Sequence, residues 1–186
     1  MRNLEAKFRL EDLDAACATA LALGYAPSAN FIQHDTFFAV AHGKLKLREQ
    51  PPDAWLIHYA RSRESALMLS RYEIVPIAAP GRARAMLERA LGIIAEVHKS
   101  RTLLMRDNVR LHLDRVEALG DFGEIEAVLD DSAESAEQDA AHAAVEELLD
   151  ALHIEATELI DVSYFELTRA AKPTARRGSS DPGSRR

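Results

Sequence analysis

The sequence predicts an α+β fold dominated by strands, with roughly eight strands in a closed or strongly curved antiparallel sheet and three or four helices packed outside it. Three observations carry this. Segment after segment alternates apolar and charged residues with period two. Turn residues such as Gly43, Pro51-Pro52 and Asp107-Asn108 separate those segments. Helical stretches are few, and they do not alternate regularly with the strands as a parallel α/β sheet would require.

In order along the chain, residues 3–10 open as a strand, with Leu4, Ala6, Phe8 and Leu10 on one face and Asn3, Glu5, Lys7 and Arg9 on the other. Residues 11–23 are rich in Ala and Leu without interior Gly or Pro, so they form a helix, with Asp12 as N-cap and Gly24 as its stop. Residues 31–40 are β-branched and aromatic enough for a strand. Gly43 then turns the chain into the strand Lys44-Leu45-Lys46-Leu47-Arg48-Glu49, and Pro51-Pro52 ends it. Strands at 55–61 and 67–77 follow. Pro80-Gly81 opens a helix over 82–91. Extended segments at 95–99, 101–106, 109–116 and 123–129 come next, with a tight turn at Asp107-Asn108. A helix over 133–152, acidic on one side and apolar at helical spacing, reads as a covering helix. A short helix over 163–170 closes the domain, which is expected to span 1–171. Residues 172–186 hold Pro, Gly, Ser and Arg with almost nothing apolar and are expected to be a disordered basic tail.

Composition narrows the class. Hydrophobic residues at 47% exclude a disordered chain, and no apolar run reaches the length of a membrane-spanning helix. The first residues lack the apolar stretch of a signal peptide, and the single cysteine, Cys17, has no internal disulfide partner. Both point to a cytoplasmic protein. The formal net charge of −7 argues at first sight against a polyanion as partner. Its distribution removes the objection. Residues 1–115 carry 17 Lys and Arg against 13 Asp and Glu, residues 116–168 carry 16 acidic residues and no basic one, and residues 169–186 carry six basic residues against one acidic. A basic body, an acidic third and a basic tail are folded into one small total.

The charged faces of the strands are dense. Glu5, Lys7 and Arg9 share a face, as do Lys44, Lys46 and Arg48; Tyr59 and Arg61; Lys99 and Arg101; Arg110, His112 and Asp114; and Glu124 and Glu126. One reading is a sheet with its apolar face buried and its charged face solvated. The other is the reverse: apolar faces packed outward against helices, charged faces turned into a polar tunnel. A tunnel lined by so many cations needs an anion. Arg and Lys bind phosphoryl oxygens, and carboxylates on the same faces suit a hard divalent cation. A metal–polyphosphate ligand satisfies both.

The same residues resemble motifs of the CYTH superfamily, which includes class IV adenylyl cyclases and thiamine triphosphatases. Asn3-Leu4-Glu5-Ala6-Lys7 is similar to its Glu-x-Glu-x-Lys hallmark, with Asn3 in place of the first Glu. Gln33-His34-Asp35-Thr36-Phe37-Phe38 resembles Q-x-D-T-Y/F-F, and Gly43-Lys44-Leu45-Lys46-Leu47-Arg48 resembles G-K/R-L-K-L-R. Tyr59-x-Arg61, Ser70-Arg71-Tyr72, Lys99-Ser100-Arg101 and Val109 to Asp114 fall at similar spacing. Gly120-Asp121-Phe122-Gly123-Glu124-Ile125-Glu126 resembles G-x-F-x-E-x-E, and Ser163-Tyr164-Phe165-Glu166-Leu167 resembles the closing S-Y-x-D/E-L. The resemblance runs from about residue 2 to residue 168.

It implies a closed eight-stranded antiparallel β-barrel, a tunnel binding a triphosphate with Mg²⁺ or Mn²⁺. The metal would be held by Glu5, Glu124 and Glu126, with Asp114 a weaker candidate. The triphosphate would be held by Lys7, Lys44, Lys46, Arg48, Arg61, Lys99, Arg101 and Arg110, of which Lys7, Arg61 and Arg110 are expected to be catalytic. The activity implied is that of a class IV adenylyl cyclase, converting ATP to cyclic AMP and pyrophosphate. A triphosphatase acting on inorganic tripolyphosphate, thiamine triphosphate or a nucleoside triphosphate is the alternative, and a binding protein without chemistry is a third. Met68 stands where a Lys is expected, so both it and Asn3 bear on substrate and metal stoichiometry. The partner is a small molecule, with neither nucleic acid nor membrane expected. The resemblance is compatible with a homodimer, to which no residue of the sequence points. The remaining features read blandly. His112 is expected to hydrogen-bond within the tunnel, and His34, His42, His58, His98, His142 and His153 lack zinc-like spacing. Cys17, Trp55 and Phe37 are expected to pack, and the tail to be solvated.

Overall fold

A computed structural model describes residues 2–61, 70–129 and 135–171. The elements are β1 (Arg2–Leu10), α1 (Leu13–Ala22), β2 (Ala26–Phe38), β3 (Lys44–Gln50), β4 (Asp53–Arg61), β5 (Ser70–Pro76), α2 (Pro80–Leu91), β6 (Ile93–Arg106), β7 (Val109–Val116), β8 (Gly120–Leu129), α3 (Ser135–Ala151) and α4 (Tyr164–Ala171). The segments expected at 95–99 and 101–106 are one continuous strand, β6. The tail and Met68 lie outside the described residues.

All eight strands form one antiparallel sheet in the order β1-β8-β7-β6-β2-β3-β4-β5. The sheet is not closed, which corrects the expectation of a barrel. Among the described residues β1 pairs only with β8 and β5 only with β4, so these two strands are its edges. Alternation reports which face each side chain takes; closure depends instead on two edges meeting, a property no single strand encodes. The sheet is nevertheless bent into a trough, because Glu5 and Lys7 on β1 and Ile74 on β5 line the same cavity. The long central pair β2·β6 carries register shifts at Pro27/Ala29 and Phe37/Phe38. Such irregularities bend a sheet locally.

The apolar faces point outward. Ala6 and Phe8 of β1, Leu104 of β6, Val109, Leu111 and Leu113 of β7, and Ile125 and Ala127 of β8 pack with Ala16 and Ala20 of α1 and Ala141, Val145 and Leu148 of α3. Each large side chain buried here contributes about 1.5–3 kcal/mol. α1 is held at its start by Asp12, whose Oδ1 accepts from the backbone N–H of Asp14 and Ala15 at 2.9 and 3.0 Å. It ends before Gly24, at φ +84°. The β6–β7 turn is made by Asp107, at φ 52°, and Asn108, as its residue types predict. A smaller apolar group of Phe37, Ala95, Val97, Val116, Phe122 and Phe165 fills one end of the trough beneath α4.

Gly123 makes the packing of β1 on β8 possible. It pairs with Phe8 across the strands, and a Cβ there would sit 2.3 Å from the fully buried Phe8 ring. Gly123→Ala is therefore expected to lower stability by about 1–3 kcal/mol through overpacking. In urea unfolding, a cycle of Gly123→Ala with Phe8→Leu should show the two losses to be less than additive; additive losses would mean that the ring is not what the methyl meets.

Candidate functional site

Because the outward faces hold the apolar residues, the inward faces bring the charged ones together. They line a cavity of about 320 Å³ that includes Lys7, Lys46, Arg48, Lys99 and Arg101 beside Glu5, Asp35, Glu124 and Glu126. That is a volume suited to a small ligand.

Two buried aspartates organise the cations. Asp35 on β2 stands opposite Arg48 on β3 and accepts from Arg48 Nε and Nη2 and from Lys46 Nζ, each at 2.7 Å. Asp114 on β7 stands opposite Arg101 on β6 and accepts from Arg101 Nε and Nη2 at 2.6 Å, Lys99 Nζ at 2.9 Å and the Tyr164 hydroxyl at 2.9 Å. The two arrangements repeat one device: a Lys-x-Arg strand laid beside an Asp on its neighbour. Burial alone would push both carboxyls up; their cation partners outweigh it and hold both below the usual carboxylate range. Burial pushes Lys46 down to about 8, with Asp35 opposing. Burial and the Arg101 charge push Lys99 down to about 7.

The carboxylates gather at β1 and β8. Glu5 pairs with Glu126 and Lys7 with Glu124 across these strands. Lys7 Nζ lies 3.5 Å from both Glu5 and Glu124, and Arg101 Nη2 donates to Glu124 at 2.7 Å. Arg110 Nη1 donates to Glu126 at 3.2 Å, and His112 Nε2 is 3.6 Å from the same oxygen. Glu5 and Glu124 share a hydrogen bond, and burial with the Glu124 charge raises Glu5 to about 7. Negative charge is thus crowded where β1 meets β8. Glu5, Glu124 and Glu126 supply the oxygen donors a hard divalent cation takes, and such a cation would relieve the crowding. Asp114 does not fit that role, since both of its oxygens already accept from Lys99, Arg101 and Tyr164.

α4 closes one end. Glu166 accepts from the Ser163 N–H and hydroxyl at 2.8 and 2.7 Å, which caps the helix. Lys44 Nζ donates to the same carboxylate at 3.1 Å. The Tyr164 ring lies 4.9 Å from both Lys7 Nζ and Lys99 Nζ.

This fold has known counterparts. The chain matches the CYTH domain family over residues 1–164. It belongs to that family. No curated protein matches the chain significantly in sequence. Among solved structures, a protein from Pyrococcus horikoshii OT3 is similar with a TM-score of 0.74 and 19% identity, covering 89% of this chain and 98% of the other. A candidate adenylate cyclase from Vibrio parahaemolyticus gives 0.69 and 22%, covering 90% and 97%. A candidate adenylyl cyclase from Hippeastrum with a dominant triphosphatase activity gives 0.65 and 18%, covering 94% and 98%. At these identities the similarity is one of fold.

Of the residues the CYTH resemblance pointed to, Lys7, Lys46, Arg48, Lys99, Arg101, Glu5, Glu124 and Glu126 line the cavity. Lys44 is turned to Glu166 at the closed end, Arg110 to Glu126, and Asp114 lies behind Lys99 and Arg101. Arg61 ends β4 opposite Ser70, with only its backbone described. Asp35 and Tyr164 also line the cavity, and the sequence did not single them out although both lie in quoted motifs. The signal was available for Asp35: it is the one charged residue of β2 and falls on the same face as Gln33 and Phe37. Among the described residues, one His and Glu group has ligand atoms close enough for a metal: His34, Glu96 and His98, within 4.8 Å of one another. It lies on the other face of β2 and β6, away from the cavity. No described helix is long and apolar enough to cross a membrane.

The buried counter-charges generate a prediction. Asp35→Asn leaves Lys46 and Arg48 facing each other without an anion and should cost about 3–5 kcal/mol of stability. Inorganic tripolyphosphate should restore more of the melting temperature in this variant than in the wild type, because the ligand supplies the missing charge. Equal restoration in both proteins would show that Asp35 does not neutralise a ligand-binding cation pair.

Proposed function

We propose that this chain is a metal-dependent triphosphatase, binding a triphosphate chain in the trough and hydrolysing it. The observation that carries the reading is the convergence of Lys7, Lys46, Arg48, Lys99 and Arg101 with Glu5, Glu124 and Glu126 in one cavity. Cations along one side suit phosphoryl oxygens, and carboxylates at the other suit the metal that accompanies them. Arg48 and Arg101 are held by their aspartates through both Nε and Nη2, so their positions are set before a ligand arrives.

In this reading Glu5, Glu124 and Glu126 hold Mg²⁺ or Mn²⁺, which when bound would offset phosphoryl charge and lower the pKa of a bound water. Lys46, Arg48, Lys99 and Arg101 stabilise negative charge as it redistributes over the phosphoryl oxygens, and Lys7 bridges the two sets. Hydrolysis is preferred because it asks nothing of the rest of the substrate: the charged lining residues serve the polyphosphate chain, while Phe37, Ile57, Tyr59 and Ile74 of the same lining are not needed for it. Cyclisation of ATP, implied by the resemblance of the motifs to class IV cyclases, is the second reading. The two share the cavity and differ in which phosphorus meets which nucleophile.

Incubation with Mg²⁺ or Mn²⁺ and, separately, inorganic tripolyphosphate, thiamine triphosphate and ATP separates them. Orthophosphate is the expected product. Cyclic AMP with pyrophosphate from ATP would establish the cyclase instead, and thermal stabilisation by tripolyphosphate without turnover would reduce the chain to a binding protein. Glu126→Gln is expected to raise the Mg²⁺ concentration for half-maximal activity by roughly 10–100-fold with the fold retained.

Proton uptake provides a separate check. Lys46 is depressed to about 8 in the free protein. A bound polyanion raises it again, so at pH 9 binding of tripolyphosphate should take up protons, and affinity should fall as pH rises through that value. Calorimetry in two buffers of different ionisation enthalpy measures the uptake. Lys46→Arg, which keeps its charge throughout, should take up fewer protons at the same pH; an unchanged uptake would assign it to other groups.

A further inference from the structure

We propose a second metal site, for a borderline-soft divalent ion of the Zn²⁺ class, on the outer face of the β2·β6 pair, with His34, Glu96 and His98 as ligands. The register builds it: His34 lies directly opposite His98, and Glu96 is two residues before His98 on the same face. The two imidazoles are stacked with centroids 3.7 Å apart. His34 Nε2 lies 3.3 Å from Glu96 Oε1, and the three ligand atoms all lie within 4.8 Å of one another. Bonds of about 2.0–2.2 Å in tetrahedral geometry set ligand atoms roughly 3.3–3.5 Å apart. The His34–Glu96 pair already has this spacing. His98 is the half-exposed partner, with Nδ1 4.0 Å from Glu117. Because stacked rings direct their lone pairs nearly parallel, it must leave the stack on His34 to complete the site. Glu49, opposite His34 on β3 and 3.7 Å from its Nδ1, supports the ring from the other side.

The donor set distinguishes this site from the trough. Two imidazole nitrogens and a carboxylate favour Zn²⁺ or Cu²⁺, whereas the all-carboxylate set of Glu5, Glu124 and Glu126 favours Mg²⁺ or Mn²⁺. At present Glu96 also holds the Arg84 guanidinium of α2, so an arriving ion competes with that cation. The site does not depend on the triphosphate reading. It bears on the trough only through its position: His34 precedes Asp35 and His98 precedes Lys99, so a metal here clamps the two strands that present those residues inward.

Cu²⁺ titration of the full chain in excess Mg²⁺, followed by electron paramagnetic resonance, tests it. The expected result is one ion per chain with nitrogen hyperfine structure from two imidazoles, displaced by Zn²⁺ only in large excess. His98→Asn should weaken binding by roughly tenfold or more and remove one nitrogen. His34→Asn with His98→Asn should abolish the signal, and Glu126→Gln should leave it intact. Nitrogen structure persisting in the double variant, or its absence from the wild type, would overturn the proposal. Should the double variant fail to fold, His98→Ala decides, since its side chain is half exposed; unchanged Cu²⁺ affinity and hyperfine pattern in that variant count against the site. A cooperative thermal transition followed by circular dichroism verifies that each variant is folded.

Discussion

Concentrating cations in a cavity away from water is costly, and the arrangement of this molecule follows from how that cost is met. Two like charges 4 Å apart repel by about 4 kcal/mol at the effective dielectric of a protein site. Lys46 with Arg48, and Lys99 with Arg101, would carry that penalty twice. Asp35 and Asp114, 5% and 0% exposed, each sit between one such pair and accept from both members. The aspartates are therefore what allows the cations to be present at all. They also limit how the cations can move, since each guanidinium is held through Nε and Nη2. A bound polyanion would find charge already in place instead of assembling it.

Charge inside requires an apolar surface outside, and this decides where the core lies. Phe8, Leu104, Leu111 and Ile125 point away from the trough and are covered by α1 and α3. Each strand thus contributes to stability on one face and to the site on the other. Glu5 and Lys7 alternate with Ala6 and Phe8 on β1, and Arg110 and Asp114 alternate with Leu111 and Leu113 on β7. At α4 the two roles meet. Phe165 packs against Phe37 at 4.7 Å between centroids, while the adjacent Tyr164 donates to Asp114. Docking of this helix closes an apolar contact and a polar one together.

How much of this was legible depends on whether the information is local. Which residues share a face is local, because period two is written into each strand, and Glu5, Lys7, Lys46, Arg48, Lys99, Arg101, Glu124 and Glu126 could be grouped from it. That their face turns inward was not, since alternation fits a solvated charged face equally, and only the CYTH resemblance favoured the trough. The Asp12 cap and the Asp107-Asn108 turn were local too. Closure was not legible: it would need the edges β1 and β5, some 60 residues apart, to meet, and neither edge carries a pattern that says so. The role of Asp114 was hidden for a similar reason. A carboxylate beside a basic strand has the same sequence signature whether it binds a metal or neutralises an arginine, and only the count of donors around its oxygens separates the two. The His34–His98 pair escaped because zinc-like spacing is a short-range criterion, while a sheet brings distant residues into register.

The uneven charge of the chain also acquires a spatial meaning. Residues 116–168 hold no Lys or Arg, yet they are not merely an acidic surface. Glu124 faces Lys7 and Arg101, Glu126 faces Arg110 and His112, and Glu166 holds Lys44. Outside the trough, Glu147 pairs with Arg106 and Asp121 with Arg115. Part of the acidic third thus supplies partners for the basic body, brought beside it because β8 lies between β1 and β7 and α4 packs over β6. Exposed pairs of this kind add little stability individually. Inside the trough they act differently: they determine how much positive charge remains for a ligand. A polyanion entering there meets the net field of cations and carboxylates facing one cavity, so binding is governed by that local balance and not by the chain's total of −7.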